Sequence, residues 1–99
     1  MPVHSVWDFH FSPEQTQDGR AITEAIWRDM PLFDGYVTHE VIGDLDDPGH
    51  LLVVSQWTTR RRADEVLREY SSHPNAHRAN ELVSRPRTRF VGQAVSGRG

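Results

Sequence analysis

The segment Leu51-Leu52-Val53-Val54-Ser55-Gln56-Trp57 decides how this chain folds. Side chains of a strand alternate between its two faces, so Leu51 and Val53 lie on one face while Leu52 and Val54 lie on the other. An antiparallel sheet with one solvated face carries apolar residues on the other face only, so the segment predicts a strand covered on both sides. Helices cover one side, and a second copy of the chain is the simplest cover for the other. The competing interpretation places a loop or the tail over Leu52 and Val54.

Three more strands are predicted around this segment. Tyr36 to Asp44 precedes it, and Asp46-Asp47-Pro48-Gly49 has the residue types of a tight turn, so the two strands form a hairpin. Val3 to Phe11 alternates in the same way, and Thr88 to Val95 forms the last strand. The two faces of the first strand are Val3, Ser5, Trp7, Phe9 and Phe11 on one side and His4, Val6, Asp8 and His10 on the other.

The first helix is predicted directly after the first strand. Ser12-Pro13-Glu14-Gln15 offers a serine N-cap, a proline at the first helical position and a glutamine at the third, which predicts a capping box and a helix that ends at Met30. Gly19 weakens the middle of this helix by about 1 kcal/mol relative to alanine. The spacing predicts an inward face made of Ile22, Ala25, Ile26 and Met30.

Thr58 or Thr59 is the predicted cap of a second helix. Ser72-His73-Pro74 interrupts it and starts a short helix that runs to about Val83. The predicted inward residues of the second helix, before this break, are Ala63, Val66, Leu67 and Tyr70. The order strand, helix, strand, strand, helix, strand is the ferredoxin-like βαββαβ plan. We therefore predict one α+β domain over residues 1–99, with a core at 3–95, a tail at 96–99, and a four-stranded antiparallel sheet with helices on one face.

Composition excludes several classes of protein. The net charge is −3, whereas a nucleic-acid-binding protein usually has a basic face. The chain has no cysteine, which excludes disulfides, thiolate metal sites and a cysteine nucleophile. No apolar run approaches the about 20 residues of a membrane span. No phosphate-binding glycine loop, Ser-His-Asp arrangement or paired-carboxylate spacing is present. We expect a soluble, cytoplasmic protein without nucleic-acid or membrane partners.

Three motifs carry a resemblance to a known family. They are Phe33-Asp34-Gly35-Tyr36, then Asp47-Pro48-Gly49 with the strand that closes at Trp57, and Ser71-Ser72-His73-Pro74-Asn75-Ala76-His77. Together with the element order, they resemble the antibiotic biosynthesis monooxygenase superfamily across roughly residues 3–95. The resemblance implies a dimeric α+β barrel, hence a homodimer, with a ligand pocket between the sheet and the helices of each subunit. Members include cofactor-free oxygenases of aromatic polyketide quinols or anthrones, haem-degrading oxygenases and quinol oxidases.

The chain also departs from the pattern of that family. Many members carry a histidine in the second helix, where this chain has Leu67, Arg68 and Glu69. Haem-degrading members have an asparagine on the first strand and a tryptophan in the second helix, and this chain has Trp7 and Val66 at the matching places. His77 does stand near the haem-ligand position. Haem degradation is therefore not favoured, while haem binding stays open.

Two residues are the candidates for catalysis. By resemblance, Trp57 lines the pocket, where its indole stacks on an aromatic substrate and donates one hydrogen bond; the alternative is a core tryptophan at a strand–helix junction. His77 follows the break at Pro74 and holds a phenolate or shuttles a proton, or else is a surface histidine. The candidate substrate-binding residues are Trp7, Phe9, Val53, Tyr70 and His73, of which the first two also read as core residues and the last as a helix cap.

The first strand is expected to hold no metal. His4, Asp8 and His10 share a face, but positions i, i+4 and i+6 of a strand spread over roughly 20 Å, too far for one ion with bonds of about 2 Å. Polar contacts at the dimer interface or with solvent are the expected role of these residues.

The resemblance implies a cofactor-independent monooxygenase that acts on an aromatic quinol or anthrone with molecular oxygen. The substrate supplies the electrons, and the pocket removes a proton and excludes water from the resulting carbanion. The alternative is a non-oxygenase relative of the barrel: a small-ligand or haem-binding dimer, or a polyketide cyclase or isomerase that needs only an acid–base pair.

Overall fold

The chain forms one antiparallel sheet with three helices packed against it. The computed structural model describes residues 2–97. The strands are β1 (Val3–His10), β2 (Tyr36–Gly43), β3 (His50–Trp57) and β4 (Thr88–Gly92), and the helices are α1 (Thr16–Asp29), α2 (Arg60–Tyr70) and α3 (Pro74–Leu82). The strand order is β2-β3-β1-β4, with every pair antiparallel. This confirms the predicted α+β class, the βαββαβ order and the four-stranded antiparallel sheet. Residues 98 and 99 of the predicted tail lie outside the described residues.

Strand β3 is central, and its two faces have different surroundings. Leu51, Val53, Ser55 and Trp57 are buried beneath the helices, on what we call the covered face. Leu52 and Val54 are half-buried on the opposite side, which we call the open face. No helix within residues 2–97 packs over the open face. The open face also presents Val6, Ile42 and Phe90, which lie across the ladder from Leu52 and Val54 or from each other.

The hairpin between β2 and β3 is held by its aspartates. The Asp44 carboxylate accepts a hydrogen bond from the backbone N–H of Asp46 (2.8 Å), and Asp47 does the same for Gly49 (3.0 Å). At the other end, Gly35 opens β2 with φ +90°, a conformation that L side chains rarely adopt, and its carbonyl accepts a hydrogen bond from Thr58 (2.8 Å). The tight turn is confirmed, with β2 ending at Gly43.

The first helix differs from its prediction in both its start and its inward face. The Ser12 side chain makes no cap; residues 13–15 form a 3-10 turn, and α1 begins at Thr16. The buried residues of α1 are Gly19, Thr23 and Trp27, whereas the predicted Ile22, Ala25 and Ile26 are only half-buried. Met30, just after α1, is buried as predicted.

Two contacts explain why the observed inward face of α1 differs from the predicted one. Gly19 lies against the ring of Phe11, which brings the helix close to the sheet. The Thr23 hydroxyl donates to the Gly19 carbonyl (2.7 Å), so this polar group is satisfied inside the helix and is buried at little cost. The bulky Trp27 then fills the space further along the same stripe.

The remaining helices begin where the sequence predicts. Thr59 caps α2 by accepting from the backbone N–H of Arg62 (3.1 Å), and His73 caps α3 by accepting from Asn75 through Nδ1 (3.0 Å). Strand β4 ends at Gly92 rather than Val95 because β1, its only neighbour, pairs with it from Asp8 back to His4. No helix within residues 2–97 is long and apolar enough to cross a membrane.

We predict that Gly19→Ala destabilises the protein although alanine is the better helix former. An added Cβ would lie 2.6 Å from the Phe11 ring, which must then shift. Overpacking of this kind costs about 1–3 kcal/mol, more than the roughly 1 kcal/mol gained in helix propensity. Urea denaturation should show a lower free energy of unfolding.

Gly43→Ala is the matched control, because its Cβ would meet only the flexible end of Arg20. A Gly19→Ala variant as stable as that control, or more stable than the parent protein, would contradict the close packing of α1. Phe11→Leu in the Gly19→Ala background should recover part of the loss.

Candidate functional site

An apolar cavity lies between the covered face and the helices. Its volume is about 60 Å³. Aliphatic and aromatic side chains together make up most of its wall, which is the usual character of a small-molecule site. A roomier depression of about 510 Å³ lies between residues 58–60 and 91–93, but it is a groove on the surface at the strand ends. The residues that line the cavity are Ser5, Phe9, Thr23, Ile26, Trp27, Met30, Trp57, Ala63, Val66, Leu67, Tyr70, Ser71, Ala76 and Arg87.

Trp57 forms the floor of this cavity. Only 1% of its surface is exposed, and its indole N–H donates to the Ser55 hydroxyl (3.1 Å). The Ser55 hydroxyl in turn donates to the Ser5 carbonyl of β1 (2.9 Å). Because its donor is already bonded, Trp57 offers the cavity an apolar surface rather than a free hydrogen bond.

Tyr70 is the most strongly positioned polar group of the cavity. Its hydroxyl donates to the Asp29 carboxylate (2.7 Å) and accepts from the Asn75 amide (3.4 Å). The His73 ring stacks on the Tyr70 ring at 4.4 Å between centroids, and Phe33 meets it edge-on. Burial, together with the bond to Asp29, raises the pKa of Tyr70 to about 12. Tyr70 is therefore a neutral phenol whose proton is held by a carboxylate.

Two arginines lie over the Trp7 ring, and they differ in how their charge is balanced. The Arg89 guanidinium bonds to Asp64 (3.0 Å) and to the Ser5 hydroxyl (3.2 Å). The Arg87 guanidinium lies 4.6 Å from the centre of the Trp7 ring and, among residues 2–97, makes no hydrogen bond or ion pair. Burial lowers the pKa of Arg87, yet an arginine stays protonated in a protein. Arg87 thus brings an unneutralised positive charge to an apolar wall.

The structure brings only some of the predicted site residues to the cavity. Phe9, Trp57 and Tyr70 line it. Trp7 is not a lining residue, but its ring contacts Arg87, which is one. Val53 is fully buried in the core, and the His73 ring stacks on Tyr70. His77 is exposed on α3, where Ala76 and Ala79 take the inward positions, so the structure does not place it at the cavity.

Arg87, Trp27 and Thr23 also line the cavity and were not predicted from the sequence. Arg87 is one of eleven arginines, and nothing in its neighbours along the chain distinguishes it. Trp27 and Thr23 fall on the face of α1 that the hydrophobic spacing did not select. A tryptophan in an amphipathic helix was the available signal for that face.

The lining residues include neither a carboxylate nor an imidazole, so the cavity itself offers no metal-ligand set. The only group of three or more metal-ligating side chains within residues 2–97 lies elsewhere, at Asp8, His10 and His50 on the open face. The expectation that the first strand holds no metal rested on distances along that strand alone. Pairing with β3 adds His50 directly opposite His10.

Comparisons with solved structures confirm the fold. Rv0793 of Mycobacterium tuberculosis superimposes with a TM-score of 0.78 at 20% identity, covering 100% of both chains. A candidate antibiotic biosynthesis monooxygenase of Deinococcus radiodurans gives 0.79 at 22% identity, covering 98% of this chain and 96% of its own. SnoaB, a cofactor-independent oxygenase of Streptomyces nogalater, gives 0.75 at 18% identity, covering 97% and 95%. No family model and no curated protein matches the sequence.

These likenesses agree with the fold that the three sequence motifs implied. Several of the similar structures carry the name antibiotic biosynthesis monooxygenase. At identities of 22% and below, they establish the architecture of this chain over its whole described length, and no more.

We predict that Tyr70 gives the protein a pH-dependent stability in alkali. The pKa of Tyr70 is about 12 in the folded protein and about 10 in an unfolded chain, so the unfolded chain loses this proton first. The stabilisation is complete below the unfolded value and is lost as the pH rises through the folded one. Tyrosinate absorbance should show a titration step near that folded pKa, and Tyr70→Phe should remove it.

The chain has two tyrosines, so Tyr36→Phe is the matched control and should keep the late step. A parent protein in which both tyrosines ionise near their ordinary pKa would contradict the Tyr70–Asp29 hydrogen bond.

Proposed function

We propose that the chain is a member of the antibiotic biosynthesis monooxygenase family and a cofactor-independent monooxygenase of an aromatic quinol or anthrone. The observation that carries this proposal is the unpaired Arg87 charge on the wall of a largely apolar cavity that also has aromatic walls. Such a site favours a flat aromatic molecule in its anionic form, because the rings stack on aromatic walls and the guanidinium stabilises the negative charge.

The reaction of an anthrone illustrates how the chemistry balances. The substrate loses a proton, and its carbanion forms a C–O bond with molecular oxygen to give a peroxide. Loss of the second C–H proton and cleavage of the O–O bond release water and leave a carbonyl. The methylene carbon gives up four electrons and oxygen accepts four, so the substrate itself is the reductant. For this reason the proposal includes no cofactor.

Arg87 and Tyr70 have distinct roles in this proposal. Arg87 holds the phenolate or enolate oxygen of the bound substrate and so lowers the cost of removing the proton. The Tyr70 hydroxyl accepts the substrate proton while its own proton passes to Asp29, 2.7 Å away. Tyr70 never ionises in this relay, which agrees with its raised pKa. Phe9 and Trp57 supply stacking surfaces and exclude water.

The cavity must widen to take such a substrate. Its 60 Å³ is well below the about 300–1,000 Å³ of pockets that bind drug-sized molecules. Ser71, an exposed lining residue, marks the mouth, where α2 has ended and α3 has not yet begun. We propose that this junction moves outward when substrate enters.

We also propose that the protein works as a homodimer in the cytoplasm. The open face presents Leu52, Val54 and Val6 half-exposed, with Phe90 67% and Ile42 43% exposed. A contiguous apolar patch of this kind marks an interaction surface. A second copy of the same face is the cover that a self-complementary sheet favours.

We predict oxygen consumption when the purified protein meets a suitable anthrone or quinol. An oxygen electrode and product analysis, run on a panel of such substrates, should show one oxygen molecule consumed per quinone formed. Arg87→Met should lower kcat by about 10²–10³-fold, the usual loss for one oxyanion-stabilising donor. The kcat of Arg87→Lys should lie between those of the parent protein and Arg87→Met, since lysine keeps the charge without the planar guanidinium.

Arg85→Met serves as the control, because Arg85 is an exposed arginine outside the cavity lining and its loss should leave kcat unchanged. Absence of oxygen-dependent turnover across the panel would overturn the oxygenase proposal. Equal turnover under nitrogen would instead indicate the cyclase or isomerase alternative. A Soret band that is shifted and sharpened relative to that of free haemin would favour the haem-binding alternative.

A further inference from the structure

A cluster of three metal-ligating side chains lies on the open face, on the far side of the sheet from the cavity. Asp8 and His10 are two residues apart in β1 and therefore share this face, whereas Ser5 and Phe9 point into the cavity. The antiparallel register places His50 of β3 directly opposite His10 and diagonal to Asp8. The ladder that builds the fold thus also assembles the cluster.

The ligand atoms of the cluster already lie close together. The Nε2 atoms of His10 and His50 are 3.1 Å and 2.9 Å from the same oxygen, Oδ1 of Asp8. All three ligand atoms fall within 4.8 Å of one another. Tetrahedral ligands that bind one ion at about 2.0–2.1 Å stand roughly 3.3–3.4 Å apart, so the two spacings to Asp8 need to lengthen by only a few tenths of an ångström.

A second carboxylate orients His50 from behind. Asp44 Oδ2 is 2.8 Å from Nδ1 of His50, which leaves Nε2 directed toward Asp8. The backbone fixes Asp44 in turn, because its N–H donates to the His50 carbonyl (3.0 Å) and its Oδ1 accepts from Asp46 (2.8 Å). A histidine that binds a metal usually donates its other ring N–H to such a carboxylate.

The charges of the cluster suit a dication. The Asp8 and Asp44 carboxylates both contact the His50 ring, at 2.9 Å and 2.8 Å, so negative charge is concentrated around the ligand atoms. Asp8 and Asp44 together carry the two negative charges that balance a divalent cation. In the single chain the side chains are 22% exposed for His10, 23% for His50 and 35% for Asp8, and the cluster lies at the hairpin end of the open face, beyond Leu52 and Val54.

We propose that Asp8, His10 and His50 bind a divalent transition-metal ion such as Zn²⁺, with Asp44 as the hydrogen-bonding partner of His50. Nitrogen and carboxylate ligands without sulfur suit Zn²⁺, Co²⁺ and their neighbours, and water completes the coordination. This proposal is independent of the oxygenase proposal.

One rearrangement accompanies binding. The two imidazole rings stack 4.2 Å apart at 6°, and parallel rings direct their nitrogens along parallel lines rather than to one point. His10 must tilt for both nitrogens to reach the same ion. Its side chain is free to do so, because Asp8 and His50 are its only hydrogen-bond, ion-pair or stacking partners among residues 2–97.

Zinc titration of the tag-free, chelator-treated protein at pH 8 tests the proposal. Calorimetry should give one Zn²⁺ per chain, and proton NMR should show the ring signals of His10 and His50 shifting together. Asp8→Asn and His50→Gln should weaken binding by at least tenfold. Asp44→Asn, which keeps all three ligands, should weaken it by about 10–100-fold. Co²⁺ in place of Zn²⁺ should give visible d–d absorption more intense than that of the aqua ion.

His4→Gln is the matched control, because His4 lies on the same face of β1 outside the cluster, and it should bind zinc like the parent protein. Circular dichroism checks that every variant is folded. Zinc affinity that is equal in the parent, Asp8→Asn and His50→Gln proteins would overturn the proposal, as would a parent protein that binds no zinc. Oxygen uptake measured on the same variants tests the oxygenase proposal separately, so that either proposal can fail without the other.

Discussion

The structure depends on one constraint: β3 must hide apolar side chains on both of its faces. Leu51, Val53 and Trp57 are buried under the helices, and Leu52 and Val54 project from the other side. A chain of 99 residues has helices enough for one face of a four-stranded sheet. This division organises the rest of the molecule, because the covered face holds the cavity and the open face is the surface on which we propose that a second copy packs.

The same division separates two kinds of chemistry. On the covered face, the polar groups are satisfied in short chains, such as Trp57 to Ser55 to the β1 backbone and Tyr70 to Asp29. Arg87 is the exception, and an uncompensated charge at an apolar wall is costly unless a ligand balances it. At the hairpin end of the open face, imidazole and carboxylate groups are partly exposed in the single chain. Because side chains alternate along β1, successive residues of this strand lie on the covered face and the open face in turn.

Local sequence signals predicted the fold well. The alternation of β1 and β3, the aspartate-rich turn, and the caps at Thr59 and His73 each depend on residues a few positions apart, and the structure has all of them. The predicted inward face of α1 was wrong because isoleucine is more hydrophobic than threonine, so the hydrophobic spacing selected the isoleucines. The contact of Gly19 with Phe11, a tertiary contact, decides that face instead.

The site was harder to predict for the same reason. Phe9, Trp57 and Tyr70 could be placed because their strand and helix faces were readable from the sequence. His77 could not, since the orientation of a short helix after a proline break depends on packing. Arg87 is indistinguishable from the other arginines in sequence, and only the pairing of β1 with β4 brings it to Trp7. The cluster with His50 likewise exists only once the register of two strands is known.

The most direct test of this account is the mass of the protein in solution. Sedimentation equilibrium at micromolar concentration should give twice the mass of the chain, and Val54→Asp, which places a charge in the middle of the open face, should reduce it to a single chain with its circular dichroism unchanged. A parent protein that sediments as one chain at every concentration would show that Leu52 and Val54 tolerate water, and the division of the sheet into a covered face and a paired face would be wrong.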